Sequence, residues 1–343
     1  MYLKIKKQRG EEVRKKLLKD EVYDISGKIL HDGDFILLPV KKEVSVEDSK
    51  IVDVPIEKAD RKPFSLKESL KDKLTENELK LIPSSFDIIG DIAILELPDE
   101  LKDKSGLIGN SLMETFRHVK VVAEKQSNIG TEYRTRDLKV IAGENRTETI
   151  HREQGCIYKL DVQNSYFSPR SGTERARVVG KIKDSERILV MFAGVGPFAI
   201  LAAKNRNADV CAIELNPNAA DYMKENVLLN KVRVQAVCGD VRIETPKLVQ
   251  ENGKFDRIIM PLPMDAHHFL DVALFATKPG GVIHFYHFAH TTDEAVAKVK
   301  EACGKLGYET EILDAVPCGS YSPCLSRMCV DFRVISSQIK DKI

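Results

Sequence analysis

Short apolar runs alternate with helically spaced segments along the second half of the chain. Residues 188–191, 210–213, 234–237, 257–260 and 282–286 read as strands, each followed by a segment of helical periodicity. Two further strands, 311–315 and 328–334, close the sequence as a hairpin. Five strands with crossover helices predict a doubly wound, mostly parallel α/β sheet spanning 161–343, with ligands meeting the carboxyl ends of its strands. Upstream the pattern changes. Residues 4–6 and 35–40 read as strands around a helix at 11–19, a small α/β domain over 1–58. Acidic and basic residues alternate through 42–63, which reads as a linker. Residues 64–160 form a second small α/β domain, with two strand segments in 86–95 meeting at Gly90, strands at 119–122 and 138–141, and a polar loop at 127–131.

A chain of 343 residues accommodates two or three such units. Lysine plus arginine (53) balances aspartate plus glutamate (52), so overall charge favours no partner. The seven cysteines are scattered without a C-x-x-C, as in a reducing compartment. Cys318, Cys324 and Cys329 have the wrong spacing for a zinc knuckle, so no metal is expected. The basic N-terminus lacks the apolar segment of a signal peptide. The longest uncharged run, 188–203, is too short to span a membrane and is broken by Gly194, Gly196 and Pro197. A soluble, cytoplasmic monomer is expected.

Met191-Phe192-Ala193-Gly194-Val195-Gly196-Pro197-Phe198 joins the first strand of the large sheet to its helix. Glycines at 194 and 196 permit a sharp turn and a ligand close to the backbone, and Phe192 and Pro197 flank them. Glu214 ends the next strand, where a carboxylate can accept both ribose hydroxyls of an adenosine. Asp240 ends the third, placed for an adenine amino group. Either acid alone could be a helix cap. Together, at successive strand ends, they point to an adenosine-containing ligand. Pro197 and the bulky Phe198 suit a pyrophosphate poorly, which favours S-adenosylmethionine over NAD.

From 117 to 181 the balance turns basic, with Arg134, Arg136, Arg146, Arg152, Arg170, Arg175 and Arg177 interleaved by Tyr133, Tyr158, Tyr166 and Phe167. Arginines grip phosphate and aromatics stack on splayed bases, although Tyr158 and Phe167 read as core. Three blocks carry a resemblance: the 191–198 turn, Ala142-Gly143-Glu144-Asn145-Arg146-Thr147, and Tyr166-Phe167-Ser168-Pro169-Arg170 with Glu174-Arg175. Over nearly the whole chain they resemble the archaeal and eukaryotic tRNA (guanine-37-N1) methyltransferases. The resemblance implies a Rossmann-type catalytic domain behind two smaller α/β domains, the first contacting the tRNA outer corner. It implies methyl transfer from S-adenosylmethionine to N1 of guanosine 37, flipped out of the anticodon loop.

N1 carries a proton and its lone pair is tied up in the lactam, so a base must act as the methyl arrives while charge grows on O6. The resemblance makes Glu174 that base and Arg134 the donor for O6. Without it, Glu174 reads as an ion-pair partner of Arg175 or Arg177. Tyr166 is expected at the flipped base, and Arg136, Arg146, Arg170 and Pro261 at the RNA. Two positions depart from the family pattern: Val190 stands where an Asp is usual, and Pro261 where an Asn is usual. Pro261 offers no side-chain hydrogen bond. Three rivals follow: a wyosine-pathway transferase on the same nucleotide (aminocarboxypropyl transfer or methylation of the tricyclic base), a catalytically silent tRNA-binding protein, and a dehydrogenase.

Overall fold

The computed structural model describes residues 1–24, 26–57, 65–126, 135–322 and 324–337. The chain divides into two compact units, Met1–Ser69 and Leu70–Ile343.

In the first unit β1 (Tyr2–Lys6), α1 (Gly10–Lys19), β2 (Leu30–Asp32), β3 (Phe35–Pro39) and β4 (Lys50–Val52) build an antiparallel sheet in the order β2-β3-β1-β4. Val13 and Leu17, one helical turn apart, bring α1 onto Leu3, Ile5 and Leu38. The segment expected as a linker, 42–63, instead contributes β4 to the sheet, because Val44, Val46 and Ile51 pack on that core between its charges. A short helix, α2 (Leu66–Ser69), follows.

The second unit opens with α3 (Glu76–Leu81), held by a capping box in which the Thr75 N–H donates to Glu78 Oε2 at 2.9 Å. Strands β5 (Asp87–Ile89) and β6 (Ile92–Leu95) meet at Gly90, whose φ of +59° suits the expected glycine turn. With α4 (Ser105–Thr115), β7 (Val121–Lys125) and β8 (Leu138–Gly143) they form a four-stranded sheet in chain order. A hairpin follows that the sequence reading passed over, β9 (Glu148–Glu153) and β10 (Cys156–Asp161). Cys156, Tyr158 and Leu160 are buried with Ile157 and Lys159 between them, but Glu148, Arg152 and Glu153 make the partner strand read as polar.

The remaining elements are α5 (Gly172–Gly180), β11 (Arg187–Val190), α6 (Pro197–Asn205), β12 (Asp209–Glu214), α7 (Pro217–Asn230), β13 (Gln235–Cys238), α8 (Val241–Asn252), β14 (Phe255–Met260), α9 (Leu270–Ala276), β15 (Thr277–Ala289), α10 (Thr292–Lys305), β16 (Tyr308–Ser322) and β17 (Leu325–Ser337). The sheet is seven-stranded, in the order β13-β12-β11-β14-β15-β17-β16. Its first five strands run parallel and the closing hairpin antiparallel, as expected. Ile188, Val190, Val210 and Ala212 point to one core with α5, α6 and α7. Leu189, Cys211, Ile213 and Ile258 point to the other with α8, α9 and α10. Strands covered on both faces read as continuous apolar runs, which is why they stood out in the sequence. The first core also takes in Ile92, Val121, Tyr158 and Leu160, so segments 64–160 and 161–343 share it.

Two asparagines one turn apart on α7 tie the hairpin to this sheet. Asn226 accepts from the Lys159 N–H and donates to the Lys159 carbonyl; Asn230 does the same to Ile157. Their amides therefore satisfy backbone groups of β10 as a neighbouring strand would.

Candidate active site

The loop after β11 is fixed by its backbone. The Ala193 N–H donates to the Ile213 carbonyl at 2.9 Å and the Gly196 N–H to the Ala193 carbonyl at 3.0 Å. Gly194 and Gly196 have φ of +57° and +91°, and Gly196 caps α6 with Pro197 at its first turn. A Cβ at Gly196 would stand 3.0 Å from Ile200 and Met223 side chains, which would have to give by a few tenths of an ångström, so φ is what favours glycine there. Phe192 also has φ +55°, a conformation a bulky residue seldom holds. Its ring packs edge-on against Phe269, 4.9 Å between centroids, and lines a pocket beside the loop.

Glu214 ends β12 beneath the turn. Its carboxylate accepts from the Gly194 N–H at 2.6 Å and the Asn216 N–H at 2.8 Å. Burial pushes this carboxyl above its usual pKa, against the backbone donors of Asn216, Gly194 and Leu215. Each carboxylate oxygen has two acceptor sites, leaving room for a ligand's hydroxyls. Asp240 caps α8, its Oδ1 accepting from the Arg242 N–H at 2.7 Å.

The pocket on the other side of the loop collects residues distant in sequence: Tyr166, Phe167, Glu174, Phe192, Gly194, Pro197, Pro261, Tyr286 and Arg327 among its walls. Glu174, on the first turn of α5, is only 6% exposed. Arg177 grips it with two bonds of 2.7 Å, and the Tyr286 hydroxyl donates to Oε1 at 2.7 Å. Burial holds the Tyr286 phenol far above its usual pKa, so it is a donor throughout the working range. With three acceptor positions used, Oε2 retains one. The ion pair expected on bland grounds is thus with Arg177, inside the pocket wall rather than on an open helix face.

Behind Arg177 runs a buried polar chain. Arg177 donates to Asp331 Oδ2 at 2.7 Å, as does Lys181, and His284 Nδ1 lies 2.6 Å from Asp331 Oδ1. Arg257 Nη1 can only donate to His284 Nε2, 2.7 Å away, which fixes a neutral imidazole with its proton on Nδ1. Burial lowers the His284 pKa, in keeping with that form. Burial alone would raise the Asp331 carboxyl, but His284, Arg177 and Lys181 hold it well below the usual carboxylate range. His284, Cys329 and Asp331 are close enough to hold an ion, yet the two cations already on Asp331 oppose one.

Tyr166 has the Arg136 guanidinium 5.9 Å from its ring centre. Arg146 is bound to Asp91 by bonds of 3.1 and 2.6 Å and to Glu144 at 2.7 Å, stapling the start of β9 to the Gly90 turn. Arg170 reaches Asp87 at 2.7 Å. Tyr158 and Phe167 are core, as expected. Arg134, Tyr133 and the 127–131 loop lie outside the described residues. His267, expected to begin a surface helix, is in a single 3-10 turn, 6.2 Å between ring centroids from His287. The sequence reading missed Tyr286 and Arg327. Tyr286 closes the apolar run 282–286 and read there as part of a strand, and Arg327 stands one residue before the run 328–334 that announced β17.

A TRM5/TYW2 methyltransferase domain model matches residues 149–312, a TYW2 N-terminal domain model residues 66–147, and a tRNA methyltransferase 5 N-terminal domain model residues 3–48. The tRNA (guanine(37)-N(1))-methyltransferase Trm5b of Pyrococcus abyssi is 42% identical over 338 residues, 97% of this chain and 99% of that one. The chain belongs to the TRM5/TYW2 methyltransferase family. Among solved structures of the family, the complex of aTrm5 with tRNALeu is similar with a TM-score of 0.79 and 34% identity, covering 98% of this chain and 100% of that one. Methanocaldococcus jannaschii Trm5 in complex with adenosine is similar with a TM-score of 0.66 and 33% identity, covering 98% and 99%. The seven-stranded sheet is thus the family's Rossmann-type fold with its N-terminal domains. Among the described residues no helix is long and apolar enough to cross a membrane.

Proposed function

We propose that this protein transfers the methyl group of S-adenosylmethionine to N1 of guanosine 37 in tRNA. The observation that carries the reading is the buried carboxylate of Glu174 in one pocket wall with Tyr166, Pro261 and the Phe192–Gly194 turn. The cofactor fits the residues present: a glycine turn whose position 194 has only the Tyr166 carbonyl within 4 Å of a notional Cβ, at 3.5 Å, above a buried carboxylate with unused acceptor sites. Phe192, Gly194, Gly196, Pro197, Glu214 and Asp240 would hold it, Glu214 through the ribose and Asp240 through the adenine amino group. When bound, S-adenosylmethionine supplies a methyl group on a sulfonium centre.

Tyr166 stacks on the flipped guanine, with Arg136 behind its ring and Arg170 available to phosphate. Glu174 would take the N1 proton on Oε2 and free the nitrogen lone pair for the methyl carbon, whose bonding pair to the sulfonium stays on sulfur, leaving N1-methylguanosine and a neutral thioether. Arg177 and Tyr286 keep that carboxylate in one orientation. Arg134 carries over as a donor to O6. The partner is tRNA, and contacts at its anticodon loop and outer corner, by the segments 1–58, 64–160 and 161–343, belong to the same proposal, as does a cytoplasmic monomer. The 3–48 match to a tRNA methyltransferase 5 N-terminal domain favours N1-methylation over the wyosine-pathway chemistry. Glu174→Gln tests the reading: single-turnover methylation of a G37 transcript falls by roughly 10²- to 10⁴-fold while tRNA affinity holds. An unchanged rate, or a heavier product than a methyl by mass spectrometry of wild-type-treated tRNA, would overturn it.

A further inference from the structure

The pocket holds a guanidinium that no carboxylate among the described residues neutralises. Arg327, near the start of β17, pairs in register with Phe288 at the carboxyl end of β15. One of its N–H groups, on Nη2, donates to the Cys318 carbonyl at 2.7 Å, and the Cys318 thiol donates back to the Arg327 carbonyl at 3.2 Å. Its Nε is buried without a hydrogen-bond partner among the described residues. The arginines nearby are treated differently: Arg175 is matched by Glu153, Arg177 by Glu174 and Asp331, and Arg257 by Glu186. A partly enclosed cation without a counter-charge is costly unless a ligand supplies the acceptor.

We propose that Arg327 reads the target guanine, donating to its O6 and N7. This rests on the pocket being the guanosine site. Strand order separates the two halves of that site. Glu214 ends β12, on one side of β11, whereas β14, β15 and β17 lie on the other. Arg327 therefore stands with Pro261, Tyr286 and Glu174, away from the acid assigned to the adenosine. Pro261 contributes no side-chain donor at the end of β14, so contacts to the base edge come from elsewhere in the wall. O6 and N7 of guanine are adjacent acceptors that match the planar fork of an arginine. A donor to O6 also gains strength as N1 loses its proton and charge moves onto that oxygen. Gly319 on β16 leaves the space the fork needs, since a Cβ there would stand 3.1 Å from Arg327 Nη2.

The test compares tRNA transcripts carrying guanosine or 7-deazaguanosine at position 37, in single turnover with wild type, Arg327→Ala, Arg327→Lys and Glu174→Gln. Wild type should be slower on the 7-deaza transcript by roughly 10- to 100-fold, the range for the one hydrogen bond to a charged group that this transcript lacks. Arg327→Ala, which loses the O6 contact as well, should be slowed at least as much on guanosine and should no longer distinguish the transcripts. Arg327→Lys, a point charge, should recover part of the rate without the discrimination. tRNA affinity should stay within about threefold, which also reports that the variants fold. Equal slowing of both transcripts by Arg327→Ala with discrimination retained overturns the proposal. So does weaker binding of both with a shallower salt dependence, which would make Arg327 a phosphate contact. If Glu174→Gln also leaves the rate intact, the pocket reading fails as well.

Discussion

The segment carrying Tyr166 and the helix carrying Glu174 are held in place by one buried ion pair, and its loss can be sized. Arg175 donates to both oxygens of Glu153, at 2.8 and 2.6 Å, and from Nη2 to the Ser168 carbonyl at 3.0 Å. Its guanidinium lies 5.0 Å from the Phe167 ring centre. The side chains are 3% and 10% exposed, so solvent screens them little. Burial alone would raise the Glu153 carboxyl, but His151 and Arg175 bring it from 4.5 down to about 2. That difference corresponds to about 3 kcal/mol of stability at neutral pH. Glu153→Gln keeps the shape and removes the charge, leaving Arg175 buried beside an amide. We expect it to lower unfolding free energy at pH 7 by about 2–4 kcal/mol, measured as a reduced urea midpoint with unchanged slope.

The pH dependence gives this prediction its sign. A carboxyl whose folded pKa is depressed contributes fully above its unfolded value of 4.5, and loses that contribution as pH falls towards 2. The gap between wild type and Glu153→Gln should therefore be about 1 kcal/mol smaller at pH 4 than at pH 7. A gap below about 1 kcal/mol at pH 7, or one equally wide at both pH values, would refute the argument. Methyl transfer should fall alongside, because Ser168 and Phe167 lose the anchor that sets the neighbouring Tyr166.

Tyr286→Phe removes the 2.7 Å bond to Glu174 and should slow single-turnover methylation by roughly 10- to 100-fold, the range for a hydrogen bond to a charged group, with tRNA affinity unchanged. A rate within about twofold of wild type would mean that Arg177 alone orients the carboxylate. Glu214→Gln replaces one acceptor oxygen with a donor facing the Gly194 or Asn216 N–H, and should weaken S-adenosylmethionine binding by roughly 10-fold or more in calorimetry. Unchanged affinity would remove Glu214 from the cofactor site.

The large sheet was legible because its strands are buried on both faces and flanked by helices of clear period. Leu189 and Val190 serve opposite cores yet look identical in a hydropathy pattern. The half proposed for the cofactor was legible for a related reason. A glycine turn followed by an acid at the next strand end is local in sequence, and the fold preserves that locality through the Glu214–Gly194 bond. The hairpin at 148–161 was hidden by charges on its open face, and β4 by a segment in which charge alternation outweighed Val44, Val46 and Ile51. Strand β16 ran past its apolar centre because four irregularities in its pairing with β17 break the period of two. Resemblance brought out Glu174 where pattern alone favoured an ion pair, and the structure holds both: the carboxylate is paired with Arg177 and still lines the pocket.

The pocket proposed for the substrate is assembled from residues that no local pattern links. Tyr166, Glu174, Pro261, Tyr286 and Arg327 arrive from five separate segments and meet only because β14, β15 and β17 are neighbours. That adjacency gives the departure at Pro261 a physical context. A proline at the end of β14 removes a possible polar contact to the base, while the closing hairpin presents an uncompensated guanidinium to the same wall. Recognition of a guanine needs paired donors on its acceptor edge, and it does not matter to the base which strand delivers them. In this chain the antiparallel hairpin, whose apolar runs at 311–315 and 328–334 marked only its middle, is the element placed to supply them. Specificity in this site then rests on the geometry of β16 and β17, and changes that loosen the Cys318–Arg327 contact should relax base discrimination before they affect the cofactor half.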